Sequence, residues 1–172
     1  MPINPRTRLG LGLFLLVLIV DQASKQFMLH AIDLPLRGSM PLLPVLELVM
    51  VWNHGVTFGL LNGGAGGLVA PMILGAVALL IVAGLLIWLR RAENYLVAAS
   101  LGGIAGGAVG NVIDRIRYGA VVDFIHFHLG GFDPFPYVFN VGDSAIVCGV
   151  AALLIDGMWP SQKGGNSGKQ SL

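Results

Sequence analysis

Charge is scarce in this chain. Only 11% of its 172 residues are Asp, Glu, Lys or Arg, less than half the roughly 25% of an ordinary soluble domain. So few polar groups cannot coat a soluble globule of this size. There is one cysteine, Cys148, which excludes a disulfide framework within the chain. There is no long basic run and the formal net charge is +1, so no electrostatic footprint for nucleic acid exists. Disorder is excluded by the opposite excess, because 55% of the residues are hydrophobic and disordered chains are poor in them. What remains is an integral membrane protein of one compact domain, spanning about residues 1–160.

Crossing a hydrocarbon core of about 30 Å takes roughly 20 mainly apolar residues in a helix. Four stretches qualify, at about 9–29, 67–89, 95–115 and 141–159. Together they predict a four-transmembrane-helix bundle, since only helices or closed barrels satisfy their backbones in lipid. Arg6 and Arg8 before an apolar run imitate a secretory leader. Asp21-Gln22-Ala23-Ser24-Lys25 is a poor cleavage site, however, and three more spans follow; an uncleaved first helix is expected.

Arg6, Arg8, Arg90, Arg91, Lys163 and Lys169 flank one side, against Lys25, Arg37, Arg115 and Arg117 on the other. That excess predicts cytoplasmic termini. Residues 30–66 and 117–139 then face outward, and 161–172 reads as a disordered cytoplasmic tail. Val45 to Trp52 is β-rich and ends in the turn signal Asn53-His54-Gly55. Ala120 to His128 is a second strand candidate, so a small extracytoplasmic β-sheet is expected on the membrane surface. Trp52, Phe135, Tyr137 and Phe139 suit an interfacial aromatic belt.

Ionisable groups within a span are costly and are functional candidates by default. In this topology Asp21, Asp114, Asp123 and Asp143 fall near one plane at the outer interface, with Asn53, Asn111, Arg115 and Asn140. The inner halves of the helices are nearly bare of such groups. Each member also has a plainer reading. Asp21 and Lys25, four apart, could simply neutralise each other. Asn111, Asp114 and Arg115 share a helix face and could simply cap its end and pair with neighbours. Asn140-Val141-Gly142-Asp143 resembles a capping box. Asp123 has no cap to make and no cation beside it in sequence. Asp123 with Asp143 suits paired-carboxylate chemistry, in which two close acids share one proton. One member then draws a proton from water while the other donates to a carbonyl oxygen. The helix dipole at Asp143 favours its ionised form and leaves the proton on Asp123.

Other constellations are weaker. His126 and His128 share a strand face and His54 could join them, but the zinc-type ligand spacing is missing. Ser24 and Lys25 are adjacent on a helix and so point to different faces. Gly102, Gly106 and Gly110 form a ridge for close helix packing, and Gly103 with Gly107 a second. Cys148 is expected in the core. A proton relay or small transporter needs polar groups through the full membrane thickness, and the second span has none. A non-catalytic scaffold would leave the acids dispensable.

Five blocks in order carry a resemblance over nearly the whole chain. They are Asp21-Gln22-Ala23-Ser24-Lys25; Asn53-His54-Gly55-Val56-Thr57-Phe58-Gly59; Gly106-Gly107-Ala108-Val109-Gly110-Asn111-Val112-Ile113-Asp114-Arg115; Val122-Asp123-Phe124; and Phe139-Asn140-Val141-Gly142-Asp143. The chain resembles bacterial lipoprotein signal peptidase, also called signal peptidase II, a family of membrane aspartyl proteases. The resemblance implies a catalytic dyad of Asp123 and Asp143. It implies that Asn53, Asn111, Arg115 and Asn140 line the substrate site and that Asp21, Lys25 and Asp114 support its shape. The implied substrate is a diacylglyceryl-modified prolipoprotein, cut N-terminal to its lipidated cysteine in the bacterial inner membrane by a monomer in contact with lipid. No metal or cofactor is implied, and globomycin-type peptides are the implied inhibitors. Val56, Thr57 and Gly142 stand where the family usually has alanine. A lipidated substrate stays in the bilayer, each buried CH₂ being worth about 0.8 kcal/mol, so its protease needs acids at headgroup depth and a lateral opening. The segment from Asn53 to Leu61, with Gly55, Gly59, Gly63 and Gly64 nearby, is expected to act as a flap.

Overall fold

The computed structural model describes residues 3–55, 69–128 and 137–158. Helix α1 (Pro5–Gln26) starts where the Asn4 side chain accepts the Arg6 N–H at 3.0 Å, with proline at the first helical position, where no N–H is missed. It continues as a wider π-helical turn, Phe27–Ala31. A short helix α2 (Leu34–Arg37) leads into strands β1 (Ser39–Leu43) and β2 (Leu46–Asn53). Then come α3 (Val69–Leu89), α4 (Tyr95–Tyr118), β3 (Val121–Phe127), β4 (Val138–Phe139) and α5 (Val141–Met158). Four helical segments, Pro5–Ala31, Pro71–Leu89, Tyr95–Tyr118 and Val141–Met158, are long and apolar enough to cross a bilayer. The fold is a four-helix membrane bundle carrying a small antiparallel sheet.

Helix α4 is the centre of the bundle, and α1, α3 and α5 all pack on it. Its glycines explain why. A Cβ on Gly102 would lie 2.0 Å from the Gly10 carbonyl oxygen, and one on Gly106 would lie 2.5 Å from that of Phe14. On the next face, a Cβ on Gly107 would lie 2.3 Å from the Gly142 oxygen of α5. Backbones in such contact admit no side chain between them. Gly103 has nothing within 4 Å of its would-be Cβ, so the second predicted ridge reduces to Gly107. Cys148 is a correction too. It is exposed on the outward side of α5, whose inward side is Gly142 and Gly149. An apolar cysteine is as well placed against lipid as in a core.

The sheet has the order β1-β2-β3-β4, antiparallel throughout. The two predicted strands form its centre, and β1 and β4 are added at the edges. Pro41 is tolerated in β1 because that is an edge strand. Val122 and Phe124 of β3 pack with Leu29, Leu34 and Leu48 into a buried cluster. Side chains alternate along a strand, so Asp123 between them points to the other face, toward the helix ends. Most of the expected flap lies in 56–68, outside the described residues, as do Phe135 and the tail from 161.

Candidate active site

Asp123 is carried by β3 at the register position opposite Val51, and Asn53 pairs with Val121. Asn53 and Asp123 are therefore diagonal neighbours on one face, and the Asn53 Nδ2 donates to Asp123 Oδ2 at 2.9 Å. The Asn53 Oδ1 accepts the Gly55 N–H at 2.8 Å, which fixes the amide's orientation. Gly55 turns the chain there with φ +72, in the left-handed region that suits glycine.

Asp143 sits in the first turn of α5. Its N–H donates to Asn140 Oδ1 at 2.9 Å, and its Oδ2 accepts the Asn140 backbone N–H at 3.3 Å. The expected capping box is formed in both directions. The same Asn140 side chain donates through Nδ2 to Asp123 Oδ1 at 2.6 Å. One buried amide thus joins the two aspartates. Asn111 of α4 completes the join: its Nδ2 donates to Asp143 Oδ1 at 2.8 Å, and its Oδ1 accepts Asn140 Nδ2 at 3.1 Å.

Burial pushes the Asp123 carboxyl up to about 6 from an ordinary 3.8. The amides of Asn53 and Asn140 work against that rise, and the charge of Asp143 adds to it. Each Asp123 oxygen accepts one amide N–H and keeps a lone pair for a proton or water.

Behind this pair lies a second cluster. Lys25, Asp21 and Asp114 are all fully buried. The Lys25 ammonium lies 2.8 Å from Asp21 Oδ2 and 2.7 Å from Asp114 Oδ2, and it donates to Asn111 Oδ1 at 2.9 Å. The Asp21–Lys25 pair is formed, but it is not self-contained. Asn111 and Asp114 cap nothing, because α4 ends on Gly119, whose N–H reaches the Arg115 carbonyl. Gln22 had no sequence assignment, yet its Nε2 donates to Asp114 Oδ1 at 2.9 Å. Its signals were polarity inside a span and its place in the block Asp21-Gln22-Ala23-Ser24-Lys25.

Arg115 is the member set apart. Its Nη1 donates to the Asn111 carbonyl at 3.3 Å, and its buried Nε has no hydrogen-bond partner among the described residues. It borders a cavity of about 200 Å³ between α3 and α4, lined otherwise by Pro71, Met72, Gly75, Leu79 and Ile116 among others. Other polar candidates go elsewhere. His126 Nδ1 pairs with Glu47 at 2.9 Å. Ser24 donates to the Asp21 backbone carbonyl at 2.8 Å. His54 lies 3.3 Å from the Gly119 carbonyl.

Comparison with known proteins matches residues 13–159 to the family model described as signal peptidase (SPase) II. A lipoprotein signal peptidase of Methylobacterium sp. (strain 4-46) is 46% identical over 156 residues, covering 91% of this chain and 92% of that protein. One from Rhodopseudomonas palustris (strain ATCC BAA-98 / CGA009) is 42% identical over 154 residues, covering 88% and 92%. A solved bacterial membrane enzyme superposes with a TM-score of 0.73 at 25% identity, covering 88% of this chain and 94% of that one.

Proposed function

The chain belongs to the signal peptidase II family, and from that premise we propose that it is a membrane aspartyl endopeptidase acting on prolipoproteins. It removes the signal peptide of a diacylglyceryl-modified precursor by cutting N-terminal to the lipidated cysteine. The observation that carries the reading is Asn140, whose side-chain Nδ2 donates to the Asp123 carboxylate and whose backbone N–H donates to the Asp143 carboxylate, while its Oδ1 accepts the Asp143 N–H. Two carboxyls held by one residue, one through its side chain and one through its backbone, suit a shared task, and like charges brought close share a proton.

The proton resides on Asp123, whose carboxyl burial pushes up to about 6. Asp143 lies in the first turn of α5, where the helix dipole favours negative charge. Asp143 takes a proton from water as its oxygen adds to the peptide carbonyl carbon. Asp123 gives its proton to the carbonyl oxygen. The tetrahedral species then collapses: Asp143 returns its proton to the leaving nitrogen, and Asp123 recovers one from the diol oxygen. The C–N bond breaks, one water is consumed, and the dyad ends with the one proton it began with. Asn53, Asn111 and Asn140 orient the carboxyls and line the substrate site. Arg115 stands at the rim of the apolar cavity beside α3, a lateral recess for acyl chains. The termini are cytoplasmic, the dyad lies near the extracytoplasmic surface of the inner membrane, and the enzyme works as a monomer. Globomycin-type peptides would compete for the same carboxyls.

The test is cleavage of a diacylglyceryl-modified prolipoprotein by the purified protein and by its Asp123→Asn and Asp143→Asn variants. Loss of cleavage in both variants, with the fold intact, is expected; full activity in either would eliminate the dyad.

A further inference from the structure

Lys25 has three ammonium protons, and all three are used, on Asp21 Oδ2, Asp114 Oδ2 and Asn111 Oδ1. The two carboxylates it bridges each also hold a backbone N–H. Asp114 Oδ2 accepts the backbone N–H of Val122 at 3.2 Å. Asp21 Oδ1 accepts the backbone N–H of Gly142 at 2.8 Å. Val122 immediately precedes Asp123, and Gly142 immediately precedes Asp143. A continuous set of contacts therefore runs from one dyad residue to the other through the buried lysine.

We infer that Asp21, Lys25 and Asp114 form a caliper that sets the separation of the Asp123 and Asp143 carboxyls, and that Gln22 is the positioning residue that keeps it closed. The inference rests on the dyad reading and adds what fixes its spacing. A support of general purpose could grip β3 or α5 anywhere. Here both grips fall on the backbone N–H of the residue before a reacting one, so movement in the clamp reaches each carboxyl through a single residue of backbone. Two carboxylates on one ammonium leave a surplus negative charge in a dry site, which must be met by hydrogen bonds. Gln22 meets it from the side. Its Nε2 lies 2.9 Å from Asp114 Oδ1 and 3.3 Å from Asp21 Oδ2, and it is anchored on the Gly110 carbonyl at 3.1 Å. Gly110 leaves the space, since a Cβ there would lie 2.2 Å from Asp21 Oδ2.

The separation of two like charges sets how far apart their ionisations fall, which gives a readout that a mere scaffold would not move. The charged groups facing the dyad are Asp21 and Lys25 from α1 and Asp114 and Arg115 from α4; β2 contributes the uncharged Asn53. The experiment is the pH dependence of kcat for the full-length protein on a diacylglyceryl-modified prolipoprotein, in wild type, Gln22→Leu and Lys25→Met. In Gln22→Leu kcat should fall about tenfold, with KM within about twofold, and the two limbs should draw together by roughly half a pH unit. In Lys25→Met the fall should reach about a hundredfold, as for a misplacement near 1 Å. If Lys25→Met fails to fold, Gln22→Leu alone decides. An unchanged spacing of the limbs in a folded Gln22→Leu, whatever its kcat, would overturn the caliper. Wild-type cleavage abolished in Asp123→Asn, measured alongside, keeps the dyad reading standing in that case.

Discussion

Two pairs of aspartates share one end of this bundle and live in opposite surroundings. Asp21 and Asp114 close on the Lys25 ammonium at 2.8 and 2.7 Å, and all three side chains are fully buried. Asp123 and Asp143 have no cation between them and are tied to neutral amides instead. The first pair shares one cation and grips backbone N–H groups of β3 and α5. The second pair has no cation in hydrogen-bond contact, and burial pushes its member Asp123 toward keeping a proton. The difference teaches that residue type does not set the role of a buried acid. What stands opposite it does.

The contrast can be broken most sharply by removing one member of each pair's surroundings. Asp143→Asn should lower turnover by about a thousandfold or more, the scale for losing a member of a concerted catalytic unit, and leave the melting temperature nearly unchanged. Lys25→Met should strike stability as well as turnover, costing about 3–5 kcal/mol by leaving two buried carboxylates without their cation; activity and thermal melts of both variants check this. Asn140→Ala touches both dyad residues and should cost about a hundredfold in kcat, whereas Asn53→Ala touches Asp123 alone and should cost about tenfold. Equal losses in the two would show that bridging the pair has no special value.

Acidity sharpens the same contrast. The Asp123 carboxyl rises from 3.8 in the unfolded chain to about 6 in the folded one. Stability from its proton is full below about 3.8 and is lost as pH rises through about 6, a change on the order of 2–3 kcal/mol. The melting temperature should therefore fall between pH 4 and 6.5, and Asp123→Asn should flatten that slope. The smallest effect is expected at Glu47, a part-exposed acid paired with His126 at 2.9 Å. Glu47→Gln should change stability by less than about 1 kcal/mol and cleavage not at all, as melts and turnover will show.

Much of this was legible in the residues, for physical reasons. Spans declare themselves because lipid demands long apolar runs. The acids and asparagines declare themselves because burying them is costly. The Gly102, Gly106 and Gly110 ridge was legible because helix contact in lipid selects small residues. Asn140 and Asp143 carried two readings, cap and site; the cap is formed, and Asn140 also donates to Asp123. The edge strands were not legible. β4 has two residues, and β1 contains Pro41 and is largely exposed, so pairing with neighbours, not propensity, makes them strands. Cys148 was misplaced because α5 is apolar on every side and hydrophobicity gives it no inward face. The grips on Val122 and Gly142 were invisible for a deeper reason. A backbone N–H is the same at every residue, so no side chain records that it is held.

The central claim, that Asp123 and Asp143 share one proton, is tested most directly by the pH dependence of kcat/KM for the wild-type protein. The account expects a bell with two ionisations, its alkaline limb near the Asp123 value of about 6. A profile with one ionisation, or none, between pH 3 and 9 would contradict it.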